Sequence, residues 1–141
     1  MEPEERKKIA TKLHSTAIHL LRTLRTQDAT LGIGPAQLSA LSVVVFGGPI
    51  SLGGLSKSEQ VRPPTMSRIV EGLVQHKLVR RDSSKEDRRV VMISATEKGA
   101  RLMYEGQDRR VQKLVRLLGT LSEDDIQQLE KATAILSGVL V

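Results

Sequence analysis

Four side chains grouped around a double proline carry the most distinctive chemistry in the sequence: Arg62, Thr65, Ser67 and Arg68, with Pro63 and Pro64 between the first two. Proline fixes φ and fits a first helical turn, so a helix starting there presents hydroxyls and guanidinium groups at its N-terminal end. Arg62 then stands at the positive end of the helix dipole, where an acidic side chain is locally preferred and a bound phosphate would relieve the conflict. Downstream, Arg80, Arg81, Lys85, Arg88 and Arg89 crowd into a short polar stretch together with Ser84 and Asp87. Hydroxyls and guanidinium forks at this density suit hydrogen bonding to phosphate oxygens and base edges.

Other chemistries are poorly served. The chain has no cysteine, which removes disulfides, thiolate nucleophiles and Cys-based zinc sites. His14 and His19 are five residues apart, not the i, i+4 spacing that shares a helix face, and His76 stands alone, so no metal or other cofactor is expected. Gly53-Gly54-Leu55-Ser56-Lys57-Ser58 lacks the glycine directly before lysine that a phosphate-binding loop requires. Glu123-Asp124-Asp125 is explained by the start of a helix. No catalytic constellation stands out, and an enzyme is not expected. Phe46 and Tyr104 are the only aromatic residues, which disfavours single-strand readers that stack bases on rings.

The elements that must position these side chains follow from periodicity. At 141 residues, 39% hydrophobic and 27% charged, the chain suits one globular domain. Met1 precedes the charged run Glu2–Lys8, and no stretch approaches the roughly 20 apolar residues of a membrane span, so a soluble cytoplasmic protein is expected. Ile9, Leu13, Ala17, Leu20, Leu21 and Leu24 predict an amphipathic first helix stopping near Gly32. A second, short and largely buried helix is expected from Pro35 to Gly47, and a third, weakened by Gly53 and Gly54, ends near Ser58. The fourth follows Pro63-Pro64, with Met66, Ile69, Val70, Leu73 and Val74 at core spacing. Leu78–Asp82 and Arg89–Ile93 are β-prone runs flanking a charged loop from Ser83 to Arg88, a hairpin pattern. Thr96 caps a fifth helix, whose Gly99 and Gly106 weaken it, and Ser122 caps a sixth.

Ten basic and five acidic residues lie between Arg62 and Arg101, so this segment holds most of the net charge of +6. Such a local excess is the footprint of an element that meets a polyanion. Two short helices, a polar-faced helix and a basic hairpin in succession make a winged helix-turn-helix, in which the second helix of the pair enters the major groove. The expected fold is therefore mainly α with a small β-hairpin wing.

At these residues the chain resembles the MarR family of winged helix-turn-helix transcriptional regulators. The resemblance covers nearly the whole chain. Its most specific part is a wing signature of Asp, any residue, Arg, five residues, Leu, Thr, two residues and Gly, which here reads Asp87-Arg88-Arg89-Val90-Val91-Met92-Ile93-Ser94-Ala95-Thr96-Glu97-Lys98-Gly99. Only Ala95, where the family usually has Leu, departs from it. Thr65–Leu73 is similar to the recognition helix and Leu78-Val79-Arg80-Arg81 to the entry into the wing. Lys77 stands where the family often has Gly, and Gly53-Gly54 is a further departure.

The resemblance implies a homodimeric regulator of double-stranded DNA, more often a repressor, on a pseudo-palindromic operator. Residues 1–32 and 100–141 would be dimerisation helices and 35–99 the DNA-binding region. Arg68 and Thr65 are the expected base-edge contacts, with Arg62, Ser67 and Gln37 on phosphates. Ser84 and Lys85 are expected on the DNA backbone, and either Arg88 or Arg89 in the minor groove. Asp87 is expected to pair with a wing arginine and fix its direction. Family members often release DNA on binding an anionic or phenolic effector. Tyr104 and His14 are the residues here that suit such a cleft, although packing explains both. The competing reading is a winged module used for protein contacts or non-specific nucleic-acid binding. Duplex RNA is disfavoured because its major groove is too narrow for a helix.

Overall fold

The computed structural model describes residues 2–25 and 32–140. Its elements run α1 (Pro3–Arg25), α2 (Pro35–Gly47), β1 (Ile50–Ser51), α3 (Leu52–Ser58), α4 (Pro63–Gln75), β2 (Val79–Ser83), β3 (Val91–Ala95), α5 (Glu97–Leu118) and α6 (Glu123–Leu140). The mainly helical architecture with a small β wing is as expected from the sequence. The described first helix ends at Arg25. Residues 26–31, which lead up to the stop expected near Gly32, lie outside the described residues.

Two compact units make up the chain, Arg25–Gln107 and a second formed by Met1–Leu24 with Asp108–Val141. The core of the first collects Ala40, Leu41 and Val44 of α2, Leu55 of α3, Met66, Val70 and Leu73 of α4, Leu78, Val79 of β2, Ile93 of β3 and Met103 of α5. The spacing of Met66, Val70 and Leu73 puts all three on one stripe of α4, leaving Thr65 and Arg68 exposed. In the second unit Ser122 caps α6, accepting from the Asp125 N–H at 3.2 Å, and the Lys113 ammonium donates to the Thr23 carbonyl at 2.8 Å. Neither α1 nor α6 buries a single side chain among the described residues.

The wing is a three-stranded antiparallel sheet in the order β1-β3-β2, not a bare hairpin. Ile50-Ser51, too short to show alternation, pairs with Ile93 and Met92. Ser51 also caps α3, its hydroxyl accepting from the Gly54 N–H at 2.9 Å. The third strand begins at Val91, two residues later than the β-prone run suggested. The cause is local: the Asp87 carboxylate accepts the Arg89 N–H at 3.0 Å and the Asp87 carbonyl accepts the Val90 N–H at 3.0 Å, which takes Arg89 and Val90 into a turn.

Both helices of the helix-turn-helix end in the same way. After α3, the Val61 N–H donates to the Ser56 carbonyl and the Gln60 N–H to that of Lys57; after α4, Leu78 donates to Leu73 and Lys77 to Val74. These are Schellman motifs, whose first residue beyond the cap must be left-handed. Gln60 at φ 55° and Lys77 at φ 59° fill those positions without being glycine. Lys77 thus adopts the conformation for which the family's usual glycine is suited.

Candidate nucleic-acid interface

The α4–β2 turn is seated by the junction between β3 and α5. The Thr96 hydroxyl donates to the Lys77 carbonyl at 2.6 Å and accepts the Gly99 N–H at 3.0 Å, while the Thr96 N–H donates to the Leu78 carbonyl at 3.0 Å. The Lys98 ammonium adds a bond to the His76 carbonyl at 3.1 Å. Gly99 lies against the Leu78 carbonyl so closely that a Cβ would collide with it. That glycine, expected only to weaken α5, is required by the contact, and the Thr-two residues-Gly end of the wing signature acquires a physical meaning.

At the other end of α4, Arg62 is the N-cap residue and its side chain makes no capping bond. A helix start leaves four amides unpaired, but Pro63 and Pro64 have none to offer. Only the Thr65 N–H remains from the first turn proper, since Met66 donates to the Arg62 carbonyl. The pull of this helix end on an anion therefore falls mostly to the Arg62 guanidinium instead of to backbone amides. Arg62, Thr65 and Arg68 are exposed and Ser67 is half-buried.

Gln37 has work within the fold. Its side-chain oxygen accepts the Gly34 N–H at 3.2 Å at the start of α2, and its amide nitrogen rests on Gly72 of α4, where a Cβ would meet it. The side chain is half-buried between two helices.

Ser84 and Asp87 organise the wing loop. The Ser84 N–H donates to the Val90 carbonyl at 2.8 Å and its hydroxyl accepts the Glu86 N–H at 3.3 Å. The Asp87 carboxylate holds the Arg89 Nε at 3.3 Å, yet the Arg89 side chain stays 92% exposed, so it is aimed outward and its charge remains available. Lys85 and Arg88 are exposed. Among the described residues, Arg62, Arg68, Arg80, Lys85 and Arg88 form no intramolecular ion pair. Exposed cations without an acidic partner keep their positive potential available to an anion.

Arg81 differs. Side chains alternate along a strand, so Arg81 shares with Val79 the sheet face opposite to that of Arg80. Its guanidinium turns back to α4, donating to the Glu71 carboxylate and the Ser67 carbonyl, each at 3.0 Å. Counting basic residues put Arg81 among the polyanion contacts; the period-two alternation already separates it from Arg80. Tyr104 on α5 packs edge-on to Phe46 of α2 with ring centroids 5.4 Å apart, and His14 is exposed on α1. Among the described residues no cluster of acidic or histidine side chains could hold a metal, and no helix is long and apolar enough to cross a membrane.

The MarR family model matches residues 33–91, which span α2 to the start of β3. An HTH-type transcriptional regulator of Mycobacterium leprae is 31% identical over 92% of this chain and 90% of its own length. The HTH-type transcriptional repressor MdtR of Bacillus subtilis is 28% identical over 75% of this chain and 68% of its own. In fold, a MarR family protein from Bacillus stearothermophilus superposes with a TM-score of 0.85, covering 99% of this chain and 98% of the other at 24% identity. With the wing signature, the helix-turn-helix and these relatives in agreement, the chain belongs to the MarR family of winged helix-turn-helix transcriptional regulators.

Proposed function

We propose that the protein is a homodimeric repressor that binds a pseudo-palindromic site in double-stranded DNA, with α4 in the major groove and the wing loop against the flanking minor groove. The observation that carries this reading is the set of exposed cations without an ion pair on α4 and the wing, Arg62, Arg68, Arg80, Lys85 and Arg88, together with the exposed Thr65. Thr65 and Arg68 read base edges; Arg62, Ser67, Ser84 and Lys85 meet the backbone. Of the wing arginines, Arg89 enters the minor groove, because Asp87 pre-orients it and so lowers the cost of ordering it on binding. Arg88 then lies on phosphate. Gln37 reaches phosphate only through the amide hydrogens not occupied in seating α2 on α4.

Dimerisation through α1 and α6 is supported by their unburied apolar side chains, Ile9 and Leu21 at 56% on α1 and Ile135 at 67%, Val139 at 76% and Leu140 at 82% on α6. Large apolar side chains left this exposed along a helix mark an interface in a stable protein. The kinship with MdtR supports repression over activation. Release by an anionic or phenolic ligand belongs to the same reading and requires that the ligand favour the DNA-free state. Competition of duplex DNA against duplex RNA for the full chain tests the nucleic-acid class directly: DNA displaces RNA if the reading holds. Equal competition contradicts it.

A further inference from the structure

Of the two arginines on β2, Arg81 is the one whose guanidinium turns back onto α4. It spans two acceptors four residues apart on α4, the Ser67 carbonyl and the Glu71 carboxylate, each at 3.0 Å, and its side chain is one-third exposed. Residues i and i+4 lie on one helix face, so the fork grips a full turn of α4 from the side and opposes both rolling and sliding of that helix on β2. The turn it grips, Ser67 to Glu71, contains Arg68 and begins one residue beyond the buried Met66. Two residues along β2 from Arg81, Ser83 leads into the loop of Ser84, Asp87 and Arg89.

We propose that Arg81 is a positioning residue: it contacts no phosphate, and through its fork on Ser67 and Glu71 it holds the base-reading face of α4 in fixed register with the wing. This rests on the DNA-binding reading above and adds to it the element that couples the two contacts. A roll of about 20° moves a side-chain tip roughly 6 Å from the helix axis by about 2 Å, enough to misalign a bidentate pair with a base edge. The cost of losing the fork therefore falls on sequence discrimination, and phosphate contacts made by other residues persist.

The test uses the full-length protein with Arg81→Lys, Arg81→Gln and Glu71→Gln, on the duplex the wild type prefers and on a scrambled duplex, at several salt concentrations. Arg81→Lys keeps the charge and loses the fork. The expected result is at least a tenfold loss on the preferred duplex for both Arg81 variants, no more than a twofold change on the scrambled one, and an unchanged salt slope. Duplexes with one base pair inserted between the α4-read and wing-read positions, poorly bound by the wild type, are discriminated less by the variants. A merely structural role would not move that spacing preference. Glu71→Gln gives part of the loss, and adding it to Arg81→Gln gives little more. A salt slope reduced by about one phosphate, with equal losses on both duplexes, makes Arg81 a phosphate contact and overturns the proposal. Full retention of specificity overturns it as well. Thermal unfolding of each variant and amide exchange along α4 in the free protein exclude loss of folding as the cause: exchange in α4 quickens while the melting temperature holds. Should the wild type bind no duplex at all, the DNA reading itself falls and takes the proposal with it.

Discussion

The Thr96 hydroxyl sits 2.6 Å from the Lys77 carbonyl and, by accepting the Gly99 N–H, joins the turn after α4 to the start of α5. One oxygen thus serves as the N-cap of α5 and as the donor that satisfies a carbonyl in the turn after α4. Thr96→Ala removes both bonds and is expected to cost about 1–3 kcal/mol. Thr96→Ser retains the hydroxyl and most of the stability, as chemical denaturation of the two variants side by side will show.

Gly99→Ala places a methyl group against the Leu78 carbonyl and is expected to destabilise by about 1–3 kcal/mol. Gly53→Ala is the matching control. Nothing lies within 4 Å of a Cβ at Gly53, so that change gains up to about 1 kcal/mol of helix propensity. Opposite signs in the unfolding midpoints check the pair.

Lys77 and Gln60 hold left-handed conformations that a glycine adopts without strain. Replacing either by glycine is expected to stabilise the protein by up to about 1 kcal/mol, the gain being reduced by the greater freedom of glycine in the unfolded chain. Thermal melts of the single and double variants measure it, and the two gains add because the residues close separate turns.

On DNA, two classes of contact separate. Arg68→Ala is expected to relax specificity at one base position by roughly 1–3 kcal/mol, with little change elsewhere in the site. Arg88→Ala with Arg89→Ala weakens binding evenly across sequences and flattens the salt dependence. Equal binding by the wing double variant at every salt concentration contradicts the placement of the wing.

The apolar stripe of α6 gives a prediction about assembly. Ile135→Glu with Val139→Glu introduces charges that would be buried between two chains, and sedimentation is expected to shift from dimer to monomer. In a monomeric protein the same residues are exposed, and the substitution leaves both mass and stability unchanged.

The parts of the fold legible from the sequence were those with strong punctuation or long periodicity. Pro35 and the Pro63-Pro64 pair mark where α2 and α4 begin, and the 3.6-residue stripe of Met66, Val70 and Leu73 marks the face of α4 that is buried. What escaped was tertiary. β1 has two residues and no pattern of its own, and exists because Ile50 and Ser51 find partners in β3. The close approach of Gly99 to Leu78 cannot be inferred from the propensity of glycine in a helix, since it depends on where another segment passes. Within the site, the total of basic residues was plain and strand alternation already sets Arg81 apart from Arg80, but the pairing of Arg81 with Glu71 and the Ser67 carbonyl depends on where α4 passes β2.

The central claim, a two-fold reader of duplex DNA, is tested most directly by selecting bound duplexes from a random pool and measuring affinity for the enriched sequences at two salt concentrations. The prediction is a palindrome with half-sites about one helical turn, roughly 10 base pairs, apart, bound with a steep salt slope. Weak binding without sequence preference, or enrichment of a single asymmetric half-site, would contradict it.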